Sequence, residues 1–197
     1  MKKLVCNDAR KLFHSYTFPH FHIFTFVMNK EKRIVLTGFM GVGKTSVARH
    51  LAFLLQCERL DLDDVIERSE KREIAEIIHA EGLVRYREIE TANLKQILLN
   101  YSVCILSLGG GTWTIAENRE LLKQNKFVSV WLESTFEHCW QNIRLSRKER
   151  PLAKNKIETQ KLFDERENIY CLADWHFIVK PQLTSFDVAK QIAEEIF

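Results

Sequence analysis

A chain of 197 residues with 46% hydrophobic and 28% charged side chains, seven glycines and three prolines has the size and mixture of one soluble globular domain, which excludes disordered and collagen-like chains. The five cysteines (Cys6, Cys57, Cys104, Cys139, Cys171) are odd in number and never form a CxxC pair, so they spell neither a disulfide framework nor a zinc site, and a reducing, cytoplasmic setting is expected. The longest apolar stretches, residues 21–27 and 103–108, fall short of the roughly 18 residues a spanning helix needs, so no membrane role is expected.

The formal charge of +3 is concentrated at one end. Before Met28 stand four basic residues (Lys2, Lys3, Arg10, Lys11) and one acid (Asp8); taking these from the 29 basic and 26 acidic side chains of the whole leaves 25 of each in residues 28–197. A neutral body with no basic stripe is a poor nucleic-acid binder, because such binding draws its affinity from phosphate neutralisation. Residues 1–27 also hold five of the 13 phenylalanines and three of the seven histidines, without helical or strand periodicity. They fail as a secretory signal, since Arg10, Lys11, His14 and His22 interrupt any apolar core. They read as an N-terminal extension, disordered or preceding a true start at Met28, with residues 28–197 as the domain.

From Arg33 the chain runs through Ile34-Val35-Leu36-Thr37, a short buried strand, into Gly38-Phe39-Met40-Gly41-Val42-Gly43-Lys44-Thr45, and then a helix periodic through Val47, Leu51 and Leu54. This is GxxxxGK[ST] between a strand and a helix. Glycines let the backbone curl so that successive N–H groups and the helix N-terminus converge on phosphate oxygens; the lysine reaches the β and γ phosphates and the threonine hydroxyl faces Mg²⁺. Gly38, Gly41, Val42, Gly43, Lys44, Thr45 and Ser46 are therefore the ATP-binding candidates, with Thr45 toward the metal. Guanine-reading NKxD and transporter LSGGQ motifs are missing from the sequence.

A second short strand, Glu58 to Asp61, ends in carboxylates, with Asp61 and Asp63 alternating onto one side of the strand end. Two carboxylates there suit Mg²⁺ coordination and acceptance of a proton from a hydroxyl; the plainer alternative is an acidic turn capping the next helix. Tyr86-Arg87-Glu88-Ile89-Glu90 follows on a long helix running toward Leu99, where Arg87 and Glu90, three apart, would on a surface form a pair worth only a few tenths of a kcal/mol. Val103 to Leu108 is a third strand running into Gly109-Gly110-Gly111, a place for close approach of backbone to a ligand. Phe127 to Leu132 and His176 to Val179 make a fourth and fifth strand, and a helix from Phe186 to Ile196 closes the chain. Strands alternating with helices imply a parallel sheet covered on both faces. Trp131, Trp140, Trp175 and the body cysteines are expected in the core, and Trp113 is expected to pack rather than line a pocket.

In this order the motifs resemble the shikimate kinases, of the nucleoside-monophosphate-kinase-like branch of P-loop enzymes, from about Lys32 to the C-terminus. Carrying the resemblance are the P-loop, the Asp61/Asp63 strand end, the Tyr86-Arg87-x-x-Glu90 helix, Gly109 to Gly111, Arg150-Pro151-Leu152 and Arg166 before Tyr170. It implies an α/β, three-layer α/β/α P-loop kinase fold with a five-stranded parallel sheet and a mobile lid at about residues 144–156. It also implies a monomeric enzyme using ATP and Mg²⁺ to phosphorylate shikimate at its 3-hydroxyl in aromatic amino acid biosynthesis. By similarity, Asp63 contacts the acceptor hydroxyl, and Lys44, Mg²⁺ and Arg150 meet the phosphoryl charge. Arg87, Arg166 and Gly110, flanked by Gly109 and Gly111, hold the acceptor, Glu90 orients the arginine pair, Asp61 joins Thr45 at the metal, and Arg144 stacks on adenine.

The chain departs from the family pattern in four places. Arg144 stands about one residue short of its usual spacing from Arg150, Gly82-Leu83 replaces Gly-Glu, Ala153 replaces the second leucine of the lid, and Trp113 follows the glycines. The competing readings are a gluconate-type kinase sharing the P-loop and a nucleotide-binding regulatory module that has lost catalysis.

Overall fold

A computed structural model describes residues 32–197, so the expectation for residues 1–27 lies outside the described residues. The first strand, β1 (Arg33–Thr37), is followed by α1 (Lys44–Leu55), β2 (Arg59–Asp61), α2 (Leu62–Glu70), α3 (Ile74–Asn100) and β3 (Ile105–Ser107). A single 3₁₀ turn at Thr112–Thr114 leads into α4 (Ala116–Gln124), β4 (Phe127–Glu133), α5 (Phe136–Leu145), α6 (Lys156–Tyr170), β5 (Trp175–Ile178) and α7 (Ser185–Ile196).

The five strands form one parallel sheet in the order β2-β3-β1-β4-β5. Successive strand residues point to opposite faces, yet Ile105, Leu106 and Ser107 are all buried, as are Ile34, Val35 and Leu36. Both faces are therefore covered, which only crossover helices supply in a parallel sheet. Helix α1 packs on β1 and β3 and pairs with α7, whereas α4 packs on β4 and α3. Leu51, Leu55, Val188, Ala189 and Ile192, spaced at helical periods, meet between α1 and α7.

The register sets the site. Leu36 lies beside Ser107, and Ser107 beside Asp61, so β1, β2 and β3 end at one level. Consecutive strands β1 and β2 are separated by β3, while β4 lies on the other side of β1. The loop after β1 thus leaves the sheet where the strand order reverses, the crevice in which open α/β sheets bind ligands.

The fold differs from the sequence expectation at several points. The third strand shrinks to three residues. Helix α3 is broken at Gly82, whose φ of 83° and ψ of 167° are non-helical. Arg144 and Leu145 belong to the last turn of α5 and Lys156 opens α6, so the lid is the segment 146–155 between them. Trp131 is buried, but Trp175 is 39% exposed because β5 is an edge strand with one neighbour, and Trp140 is only partly covered. Of the cysteines, Cys139 is buried, Cys57 and Cys104 are half-buried and Cys171 is exposed. Trp113 packs, as expected, and its indole donates to the Ile169 carbonyl at 3.1 Å. Among the described residues, no helix is long and apolar enough to cross a membrane.

Candidate active site

The loop between β1 and α1 curls through left-handed glycines, with φ of 136° at Gly38, 85° at Gly41 and 100° at Gly43. At Gly41 a side chain is doubly excluded, since a Cβ would collide with the Cys139 carbonyl on α5. The same α5 holds the loop from outside, the Asn142 amide donating to the Gly41 carbonyl at 2.8 Å. Val42 is buried, and Thr45 and Ser46 lie in the first turn of α1, which opens at Lys44. Lys44 turns back into the curl, its ammonium donating to the carbonyls of Gly38 (2.8 Å) and Phe39 (3.0 Å). Burial lowers its pKa to about 8, with Asp63 pulling it back up.

Asp61 and Asp63 do converge, by a different route from strand alternation. Strand β2 stops at Asp61, which caps α2: its Oδ1 accepts from the Asp63 N–H at 3.1 Å, while its Oδ2 accepts from the Thr45 hydroxyl at 2.8 Å. The capping and ligand readings of this carboxylate are thus compatible, one oxygen for each. Asp63, in the first turn of α2, presents a buried Oδ1 with no hydrogen-bond partner. Desolvation, with the Asp61 charge beside it, raises its pKa to about 6.

On the other side of Asp63 lies a second anchoring network. Arg87 donates to Glu90 Oε2 at 2.5 Å, and the other Glu90 oxygen accepts from Thr112 at 2.6 Å. Glu90 is fully buried and Arg87 19% exposed, so this pair is interior, unlike the surface pair its spacing first suggests. The triple glycine explains the closeness. A Cβ on Gly109 would stand 2.8 Å from Asp63 Oδ1 and from Glu90 Oε1, and one on Gly111 would fall on the Arg87 guanidinium. Arg166 is not held by Glu90; it donates to the Gly110 carbonyl at 3.0 Å, a carbonyl that also accepts from the Tyr170 hydroxyl. Burial, and then the neighbouring Arg87 charge, lower the Arg166 pKa.

Two cavities meet at Asp63. The larger, about 510 Å³, is lined by Gly41 to Val47, Asp61, Asp63 and a polar stripe of α5 (His138, Asn142). The smaller, about 80 Å³, is lined by Asp63, Arg87, Glu90, Gly109 to Gly111, Arg166 and the apolar residues Ile74, Ile78, Pro151 and Leu152. Lys148 and Arg150 of the lid line both, and Arg150 Nε is buried there with no partner. Arg144 is exposed on α5 and lines neither cavity, while Ile143 beside it packs inward. Leu83 is 39% exposed and also lines neither cavity, so the missing glutamate costs the pocket no wall. Sequence reasoning missed Thr112, which fixes Glu90, and Lys148, which bridges the cavities. A threonine after three glycines and a lysine in a basic loop carry no local signal of either contact.

A phosphate-cradling loop at the switch point of a parallel sheet, facing an unpaired carboxylate and a cationic pocket, defines a P-loop phosphotransferase of the small-molecule kinase type. A family model for shikimate kinase matches residues 40–197. The shikimate kinase of Streptococcus suis is 40% identical over 167 residues, covering 83% of this chain and 94% of that protein, and that of Cereibacter sphaeroides is 39% identical over 147 residues, covering 73% and 72%. A solved shikimate kinase from Acinetobacter baumannii in complex with shikimate superposes with a TM-score of 0.76 at 36% identity, covering 84% of this chain and 92% of that one. This chain belongs to the shikimate kinase family.

Proposed function

We propose that the chain transfers the γ-phosphoryl group of ATP to the 3-hydroxyl of shikimate, giving shikimate 3-phosphate and ADP. One observation carries the acceptor side. Arg87 and Arg166, two like charges, line a single small cavity against the unpartnered Asp63 oxygen. Arg87 has Glu90 as its counter-charge, but Arg166 is held by the neutral Gly110 carbonyl and so calls for an anion in the cavity, and the planar guanidinium fork matches a carboxylate bidentately. A small acid bearing a hydroxyl satisfies both ends of the pocket at once: its carboxylate takes the arginines and its hydroxyl donates to Asp63.

The reaction is then mainly positioning and electrostatics. The P-loop backbone and Lys44 hold the phosphates, Asp63 accepts the hydroxyl proton as the oxygen attacks, and Arg150 meets the charge of the transferring group. Glu90 holds Arg87, and the Gly110 carbonyl holds Arg166. Thr45 and Asp61, a pair of hard oxygen ligands 2.8 Å apart at the loop's mouth, fit Mg²⁺. Thr45 and Asp61 would hold the ion, which would supply charge neutralisation for the phosphates. The enzyme would act as a cytoplasmic monomer.

A coupled ADP-release assay tests the acceptor. Shikimate is expected to turn over rapidly and gluconate at background, since gluconate is a flexible polyol chain with no ring to fill the apolar side of the cavity; turnover of gluconate alone overturns the reading. Gly111→Ala supplies a check on geometry. Its methyl displaces the Arg87 guanidinium, and KM for shikimate is expected to rise by about tenfold or more, the usual cost of losing one charged hydrogen bond, with the Kd for ADP unchanged.

A further inference from the structure

The lid segment 146–155 makes one ion pair and one imidazole–carboxylate contact to the acceptor half of the molecule. Lys148 Nζ lies 3.0 Å from Glu67 Oε1 and 3.2 Å from Oε2 on α2, and His79 of α3 lies 3.2 Å from Glu149. They are unequal. The His79 and Glu149 side chains are 64% and 63% exposed, whereas those of Lys148 and Glu67 are 43% and 26% exposed. Water and salt screen both, the second less than the first because Glu67 is more covered. Glu67 is also fixed from behind: its Oε1 accepts from the Ile74 N–H at 3.3 Å, at the corner where α2 turns into α3. Ile74 itself lines the smaller cavity beside Pro151 and Leu152 of the lid.

Two residues beyond Lys148, Arg150 has its Nε buried without a partner. Holding a guanidinium there costs free energy, so other lid contacts must offset it. Lys148 makes the less exposed of the two lid contacts to α2 and α3. Burial works against its charge, yet the hydrogen bond to Glu67 and the Asp63 carboxylate nearby hold its pKa above the ordinary lysine value.

We propose that Lys148, seated on Glu67, is a positioning residue that docks the lid onto the acceptor half of the site and thereby sets Arg150 at the junction of the two cavities. This rests on the kinase reading above for what the docked lid does, but not for the docking itself. Because α2 and α3 also carry Asp63 and Arg87, the lid closes on the wall that the acceptor organises. The exposed His79–Glu149 pair contributes little.

Steady-state kinetics and lid proteolysis test this together. Lys148→Met and Glu67→Gln are each expected to lower kcat/KM for shikimate by about tenfold, and the double variant by about the same factor, since the two residues act as one unit. Lys148→Arg is expected to retain most activity, while His79→Ala and Glu149→Gln stay within about twofold, as an exposed pair should. The Kd for ADP stays put in Glu67→Gln, since Glu67 lines neither cavity. Additive losses in the double variant, or a Lys148→Met no worse than Glu149→Gln, would overturn the proposal. Independently of any acceptor, trypsin in the presence of ADP is expected to cut Glu67→Gln, whose lid sequence is intact, several-fold faster within 146–155 than the unaltered chain. Equal cutting rates overturn the docking role whether or not the chain phosphorylates shikimate, and failure of the unaltered chain to turn over shikimate counts against the reaction alone.

Discussion

Asp63→Asn is expected to lower kcat by roughly 10²–10⁴-fold, the range for loss of a general base, while leaving the protein at least as stable as before. The two halves of that result have one cause. The Asp63 pKa is raised to about 6, so the fold disfavours its charged form even after Lys44 and Lys148 have pulled the other way. A carboxyl group whose folded pKa lies above its unfolded value binds more protons in the folded state. Its contribution to stability therefore falls as pH rises from about 4 to about 6 and is lowest above that. Asparagine imitates the protonated form and removes the cost. Thermal unfolding at pH 7 should show an unchanged or raised Tm alongside the lost turnover, and at pH 4 the two proteins should converge in stability. In the unaltered enzyme the base must be ionised, so kcat/KM for shikimate should decline as pH drops through about 6. A stable Asp63→Asn protein with full kcat would refute the assignment of Asp63 as base.

Glu90→Ala should act in the opposite sense, on the structure first. Glu90 is fully buried and its two oxygens are both committed, to Arg87 and to Thr112. Removing the carboxylate strands a mostly buried guanidinium with no counter-charge, a change that typically costs about 3–5 kcal/mol. In a domain of this size that corresponds to a Tm lower by on the order of 10 °C. Surviving folded protein should bind shikimate poorly, because nothing then holds Arg87 against Gly111, while ADP binding on the far side of Asp63 is kept. A Tm within a degree or two of the parent would mean that the Arg87–Glu90 pair is a rim contact, as its i,i+3 spacing alone suggests.

These two carboxylates show how legibility in the sequence divides. The P-loop could be read because its chemistry is local: eight consecutive residues between a strand and a helix suffice to curl the backbone onto a phosphate. The parallel sheet was legible for a similar reason, since buried β-branched runs alternating with helical periods leave few other packings. Asp61 stands at a strand end as its position in the sequence suggests, but Asp63 lies in the first turn of α2, so the two converge by another geometry. Strand periodicity was carried two residues past the point where Asp61 caps a helix and ends it. Arg144 stands exposed on α5 outside both cavities; a shift of one position on a helix rotates a side chain by about 100°, so its direction is not set by its spacing from Arg150.

Sequence by itself determined the elements whose causes lie within a few residues: the phosphate loop, the strands, the glycine run, and a basic loop carrying Arg150-Pro151-Leu152. Tertiary structure alone decided which charges face one another. The order β2-β3-β1 brings Asp61 and Ser107 level with the end of β1 and places Asp63 between the two cavities. Burial turned Arg87 and Glu90 from an ordinary helix pair into an interior anchor, and the fold seated Lys148 on a glutamate 81 positions away. The strength of a charge interaction depends on the dielectric around it and on what else is near, and neither is a property of sequence spacing. The uneven charge along the chain said nothing of the cationic groups at Lys44, Arg87, Arg150 and Arg166, whose importance comes from where the sheet's carboxyl edge gathers them.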